Sequence, residues 1–112
     1  MVSPWSIELE PEVAEWLMSL KPNEFAYVEI RIDNLAKRGS SLRMPHSRSL
    51  GGGLFELRFD LDKVAQRITF YFTLDRRIIL LTVFRKQRSN ERFEVERARR
   101  AMQARGDQGH IV

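Results

Sequence analysis

Four cations occupy strand-like positions in the second half of this 112-residue chain. Arg58 lies in the run Leu54-Phe55-Glu56-Leu57-Arg58-Phe59, and Arg67 opens Arg67-Ile68-Thr69-Phe70-Tyr71-Phe72-Thr73. Arg85 and Lys86 close Arg77-Ile78-Ile79-Leu80-Leu81-Thr82-Val83-Phe84-Arg85-Lys86. Each run is short and rich in β-branched and aromatic residues, the signature of a strand. Side chains alternate across a strand, so Phe55, Leu57 and Phe59 share one face while Glu56 and Arg58 share the other. Ile68, Phe70 and Phe72 separate in the same way from Arg67, Thr69 and Tyr71. A sheet that buries one face and shows arginines and a tyrosine on the other can bind phosphate, and such a surface points to RNA.

Other chemistries find little support. The chain has no cysteine, which removes a disulfide framework, a thiolate zinc site and a cysteine nucleophile, and fits a reducing cytoplasm. It has two histidines, His46 in a basic loop and His110 in the tail, so a paired-histidine mechanism is not expected. His46 reads as an incidental polar residue. Gly51-Gly52-Gly53 precedes a strand rather than a helix, and so forms a turn, not a nucleotide-binding loop. No metal site and no cofactor site are expected. No apolar run approaches the roughly 20 residues of a membrane span, and no signal peptide is evident at the N-terminus. Residues 1–35 carry 2 basic and 7 acidic groups, whereas residues 36–112 carry 17 and 8, so the basic surface is local.

The elements that must position these cations follow from periodicity. Trp5 to Leu9 alternates and predicts a first strand. Pro11 suits a first helical position, and Val13, Trp16, Leu17 and Leu20 form one apolar helix face. Pro22 restarts the pattern, with Phe25, Val28, Ile32 and Leu35 as the stripe and Gly39 as a left-handed C-cap. Ser40 to Ser49 reads as a basic connection, and Leu74-Asp75-Arg76 as a tight hairpin. Ser89-Asn90 can cap a last helix, whose Arg97, Arg99 and Arg100 form its wet face. The fold class is α+β: an N-terminal strand and helical hairpin on one face of a small, mainly antiparallel sheet, in two layers, then a C-terminal helix. Residues 1–104 form one domain and 105–112 a flexible tail.

With these elements in order, the chain resembles a bacterial type II toxin of the RelE/ParE superfamily, in its HigB-like, phage-derived branch. The likeness rests on the helical pair, on Leu50-Gly51-Gly52-Gly53-Leu54-Phe55-Glu56-Leu57-Arg58, on Arg67-Ile68-Thr69-Phe70-Tyr71 and on Ile79 to Arg88. It implies a RelE-like fold and a ribosome-dependent mRNA endonuclease restrained by a co-expressed antitoxin, a helix-turn-helix protein. Its partners would be that antitoxin, the ribosome and mRNA.

Carried over by position, the resemblance implies Arg58, Arg67, Arg85 and Lys86 as catalytic residues; the chain departs from the RelE pattern in having no tyrosine in its C-terminal segment, which leaves Tyr71 as the only sheet candidate for a catalytic tyrosine. Arg43, Arg48 and Arg88 supply further RNA contacts. RNA brings its own nucleophile, the 2′-hydroxyl, so no metal is required. Arginine holds its proton too tightly to act as a base, which assigns Arg67 and Arg85 to the phosphate. Lys86 is the better proton shuttle, and Tyr71 can stack on a base or move a proton. Strict alternation puts Arg85 and Lys86 on opposite faces, unless the strand bulges or ends there. Two other readings stay open: a ParE-like gyrase inhibitor without RNA cleavage, and an inactive nucleic-acid-binding relative.

Overall fold

Pro11 and Pro22 start the two N-terminal helices, α1 (Pro11–Met18) and α2 (Pro22–Arg38), in the computed structural model, which describes residues 4–106 and 110–111. At the start of α2 the Lys21 N–H donates to the Glu24 carboxylate at 3.0 Å, satisfying one of the donors a helix start leaves open. Gly39 ends the helix with φ 53° and ψ −133°, outside the left-handed helical region expected of it. Only glycine fits there, because a Cβ would overlap the Trp5 indole nitrogen.

The strands are β1 (Ser6–Leu9), β2 (Ser47–Gly51), β3 (Leu54–Leu61), β4 (Val64–Thr73), β5 (Arg77–Arg85) and β6 (His110–Ile111). They lie in the order β1-β5-β4-β3-β2, with β6 also paired to β4. β1 runs parallel to β5, and the remaining pairs are antiparallel. Two strands depart from the sequence reading. The end of the basic connection forms β2, which pairs with β3 through a turn in which Gly51, Gly52 and Gly53 all have positive φ. His110 and Ile111, expected in a free tail, pair with β4, whereas residues 107–109 and 112 of that tail lie outside the described residues.

One face of the sheet gathers Leu57, Phe59, Ile68, Phe70, Phe72, Ile78 and Leu80 against Val13 and Leu17 of α1 and Val28, Ile32 and Leu35 of α2. Phe70 is fully buried, as its register predicts. Phe25, expected in the same stripe, stands exposed in the first turn of α2, ahead of the buried stretch that begins at Val28. The α+β architecture is the expected one, but the last helix, α3 (Glu91–Arg105), adds a layer on the opposite face. There Leu54, Tyr71, Ile79 and Leu81 pack with Ala98, flanked by Val95, Ala101 and Met102. β4 is therefore buried on both sides from Gln66 to Thr73.

Arginines read as a wet helix face fasten α3 instead. Arg97 donates to both carboxylate oxygens of Glu12 at 2.6 and 2.9 Å. Glu12 also accepts the Val83 N–H at 2.9 Å, so this pair closes the edge of β5 beyond the end of β1. Arg99 binds the carbonyls of Leu50 and Gly51, and Arg105 reaches Glu8 at 2.7 Å and Glu10 at 3.0 Å. Arg100 alone of the three presumed surface arginines is exposed.

Partial burial pushes the Glu12 carboxyl up, but Arg97 and the Val83 N–H more than cancel this and hold it below its ordinary value of 4.5. A carboxyl lowered on folding contributes stability above its unfolded value and loses it as pH falls through the folded one. The Glu12→Gln variant is therefore expected to be less stable than wild type at pH 7, with the difference shrinking below about pH 4.5. Urea melts across that range check it; a constant gap would contradict the assignment.

Candidate active site

A buried carboxylate organises the open end of the second face. Glu56 on β3 has no exposed surface; its Oε2 accepts a hydrogen bond from Arg58 NH1 at 3.1 Å and lies 3.7 Å from Arg67 Nε, an ion pair without a hydrogen bond. Its Oε1 and the Arg67 Nε have no hydrogen-bond partner among the described residues. Arg58 and Arg67 stand directly opposite each other across β3 and β4. Like charges so placed repel, and one carboxylate cannot neutralise two guanidiniums. Arg67 shows the strain: burial first, then the charge of Arg58, pull its guanidinium below its ordinary value, against Glu56, Glu91 and Asp60. One NH1 bond to the Gln66 carbonyl, 2.9 Å, fixes its fork.

Beyond Arg67 the sheet face continues to Phe84, its partner on β5, and then to Lys86, whose N–H donates to the Ala65 carbonyl at 2.8 Å. Lys86 Nζ lies 3.8 Å from Glu91 Oε2, at the start of α3, while Arg48 of β2 lies 3.7 Å from Glu91 Oε1. Asn90 holds this corner by a route other than the expected cap: its amide donates to the Arg85 carbonyl and its oxygen accepts from Gln87 N–H. Arg58, Arg67, Lys86 and Arg48 thus surround two acidic groups, Glu56 beneath and Glu91 beside them.

Two of the residues proposed for the site are elsewhere. Arg85 pairs with Gln66 and lines a cavity with Trp16 and Leu20, on the α1–α2 side of the sheet. A bulge explains it. Thr69 faces Thr82 and Phe70 faces Leu80, so Leu81 is an extra residue that shifts the alternation of β5 by one. The shift turns Lys86 toward Arg67 and Arg85 away. Tyr71 is on the correct face but fully buried under α3, where it can neither stack on a base nor meet substrate. Arg43 and Arg48 line a cavity of about 550 Å³ floored by Leu42, Met44 and Phe55, next to the site. Arg88 is exposed in the turn before α3.

Glu56, Glu91, Arg31 and His46 join the site unannounced by the sequence. Glu56 was within reach of inference, because it lies two residues from Arg58 and shares its face. Glu91 falls in the first turn of α3, where an acidic residue is ordinary. Arg31, on α2, carries no sequence signal; its NH2 lies 2.8 Å from His46 Nδ1. Both line a cavity of about 290 Å³ with Tyr27, Arg58, Asp60 and Arg67.

The same arrangement of helices and sheet is found in RelE-type proteins. The structure superposes with a TM-score of 0.61 on a double arginine-to-alanine mutant of the toxin RelE of E. coli in the free state, over 90% of this chain and 97% of that one, at 7% identity. It superposes at 0.54 on a chain of the toxin–antitoxin complex RelBE2 of Mycobacterium tuberculosis, over 74% and 99%, at 17% identity. This is the RelE fold. Residues 15–105 match the family of phage-derived Gp49-like proteins (DUF891), and the chain belongs to that family. No curated protein matches it. No helix among the described residues is long and apolar enough to cross a membrane.

Since Glu56 is the buried counter-charge for two arginines, Glu56→Gln should cost about 3–5 kcal/mol, the usual penalty for breaking a buried ion pair. Restoring balance by adding Arg58→Gln should recover part of that loss. Urea denaturation of the single and double variants tests this; additive losses would mean that the three groups are not coupled.

Proposed function

We propose that this protein is the toxin of a type II toxin–antitoxin pair, a metal-independent endoribonuclease that cuts mRNA on the ribosome and acts in the cytoplasm. The observation that carries this reading is the opposition of Arg58 and Arg67 over one buried carboxylate, with Lys86 and Arg48 alongside. A sheet keeps like charges face to face at a cost, and a bound phosphate would relieve it. The likeness to a toxin and to a chain of a toxin–antitoxin complex supports the same reading.

The chemistry needs few groups. The substrate's 2′-oxygen attacks phosphorus, the bond from phosphorus to the 5′-oxygen breaks, and one proton leaves the nucleophile while another reaches the leaving oxygen. Arg58 and Arg67 hold the non-bridging oxygens and meet the charge that grows there. Lys86 gives a proton to the leaving oxygen. Arginines only donate and Glu56 is sealed; of the carboxylates left near the arginines, Asp60 and Glu91, Glu91 is the one beside Lys86, and it takes the 2′-hydroxyl proton. Arg43, Arg48 and Arg88 bind the flanking strand.

Alanine at Arg67 or Lys86 should slow cleavage roughly 100- to 1,000-fold, as loss of one transition-state contact does elsewhere, whereas alanine at Arg85 should leave it near wild type. Primer extension with and without translating ribosomes, followed by end analysis, is the assay. Cuts on ribosomes with 2′,3′-cyclic or 3′-phosphate ends are expected. A 3′-hydroxyl end would exclude attack by the 2′-oxygen. Intact mRNA beside inhibited gyrase would replace this reading with a ParE-like one.

The partner follows from the same surface. A cationic face that damages mRNA is best restrained by an acidic segment laid over it. Co-expression with the product of the adjacent reading frame should restore growth and give a complex that co-purifies and dissociates with rising salt. Growth arrest that no neighbouring product relieves would contradict the pairing.

A further inference from the structure

The cavity lined by α2, the loop before β2 and parts of β3 and β4 holds Arg31 and His46, to which no role has been assigned so far. It measures about 290 Å³ and is lined by Tyr27, Arg31, Pro45, His46, Arg58, Phe59, Asp60 and Arg67. Three guanidiniums face one carboxylate, that of exposed Asp60. Tyr27, Phe59 and Pro45 make the remaining wall, with Arg31 over the Tyr27 ring at 5.8 Å, so Asp60 is the one carboxylate of the lining, while Glu56 pairs with Arg58 and Arg67 outside it.

His46 completes the set through its partner. Arg31 NH2 lies 2.8 Å from His46 Nδ1, and a guanidinium can only donate. Nδ1 is therefore the acceptor, and in the neutral ring the hydrogen is on Nε2. The backbone that carries the ring is held on both sides: the His46 N–H donates to the Arg43 carbonyl at 3.0 Å, and the His46 carbonyl accepts the Arg58 N–H at 2.8 Å. An imidazole held in this way has one polar group left, and that group donates.

We infer that this cavity is a second phosphate subsite, taking a backbone phosphate of single-stranded RNA next to the one cleaved, with His46 Nε2–H and the Arg31, Arg58 and Arg67 guanidiniums as its donors. Arg31 acts partly through His46, as a positioning residue that fixes the tautomer. The inference rests on reading this face as an RNA site, but its chemistry requires only an anion with several acceptor oxygens. A phosphate offers these at the angles two guanidinium forks demand. Arg58 and Arg67 line this cavity and also flank the Lys86–Glu91 corner, so neighbouring phosphates of one strand are read by a shared pair.

The test uses the full-length protein and an oligonucleotide with a 2′-deoxy substitution at each position, which cannot be cut. Long-range ¹⁵N imidazole spectra should show His46 protonated at Nε2 and bare at Nδ1, and the Nε2–H signal should move when the oligonucleotide or inorganic phosphate is added. Arg31→Ala and His46→Ala should each weaken oligonucleotide binding roughly 10- to 100-fold, the loss of one charge-assisted hydrogen bond. His46→Gln, which keeps a donor, should recover part of it. Arg31→Ala should also release the tautomer preference, which a residue of purely structural value would not control. Backbone spectra that overlay wild type show that each variant folds. The opposite tautomer, unchanged affinity in both alanine variants, or a pocket that answers only to an acidic protein segment would overturn the subsite. Binding that depends on Arg31 and His46 without cleavage on ribosomes would keep the subsite and sink the nuclease. Full cleavage and affinity in both alanine variants would do the reverse.

Discussion

β4 is covered on both sides, and the rest of the molecule is arranged around that. A strand in the middle of a sheet has its backbone satisfied by two neighbours, so its side chains decide what may lie above and below it. Ile68, Phe70 and Phe72 call for one apolar layer, and Tyr71 for another. The first is met by α1 and α2, the second by α3. Because α3 covers only part of its face, the polar side chains of β4 change character along the strand. Thr73 and Thr69 are sealed, Thr69 bonding to Thr82 across the ladder, while Arg67, though nearly buried itself, lines a cavity that it shares with Arg58 and Asp60.

That boundary is where the electrostatic conflict is stored. A guanidinium at the rim of a core loses hydration on one side and keeps a route to an external anion on the other. Glu56 stabilises the two arginines enough for the sheet to form, yet leaves positive charge in excess. The same sheet would be more comfortable with a neutral pair at these positions, which is the expected signature of a site kept for binding rather than for stability. The α3 arginines show the contrast. Arg97 and Arg105 are matched by Glu12, Glu8 and Glu10 and serve attachment alone.

Much of the fold was legible in the sequence because its signals are local. Proline at the first helical turn, period-two alternation in β3 and β4, and three glycines before a strand each specify geometry within a few residues. What was illegible depends on contacts between distant segments. A helix of arginines looks solvated until Glu12 of α1 is found beside it. The alternation of Arg67, Thr69 and Tyr71 reads as one exposed face, and only the reach of α3 divides it. The exchange of Arg85 for Lys86 hangs on a single extra residue, Leu81, and nothing about a leucine in an apolar run marks it as a bulge. His46 reads as an incidental polar residue of a basic loop, because its partner Arg31 is 15 residues away.

The pairing of β1 with β5 also bears on how the protein is made. Ser6 lies opposite Arg77, and Glu8 is tied to Arg105, so β1 finds its hydrogen bonds and its countercharge in segments synthesised well after it. Chains emerge from the N-terminus first, and contacts distant in sequence form late. β1 must therefore wait, unpaired, until β5 has been made, and the cationic face gains Glu91 and its helical roof only as α3 arrives. Partial chains released early would carry a raw β-edge and exposed aromatics, making them substrates for chaperones and proteases rather than small working copies of the protein.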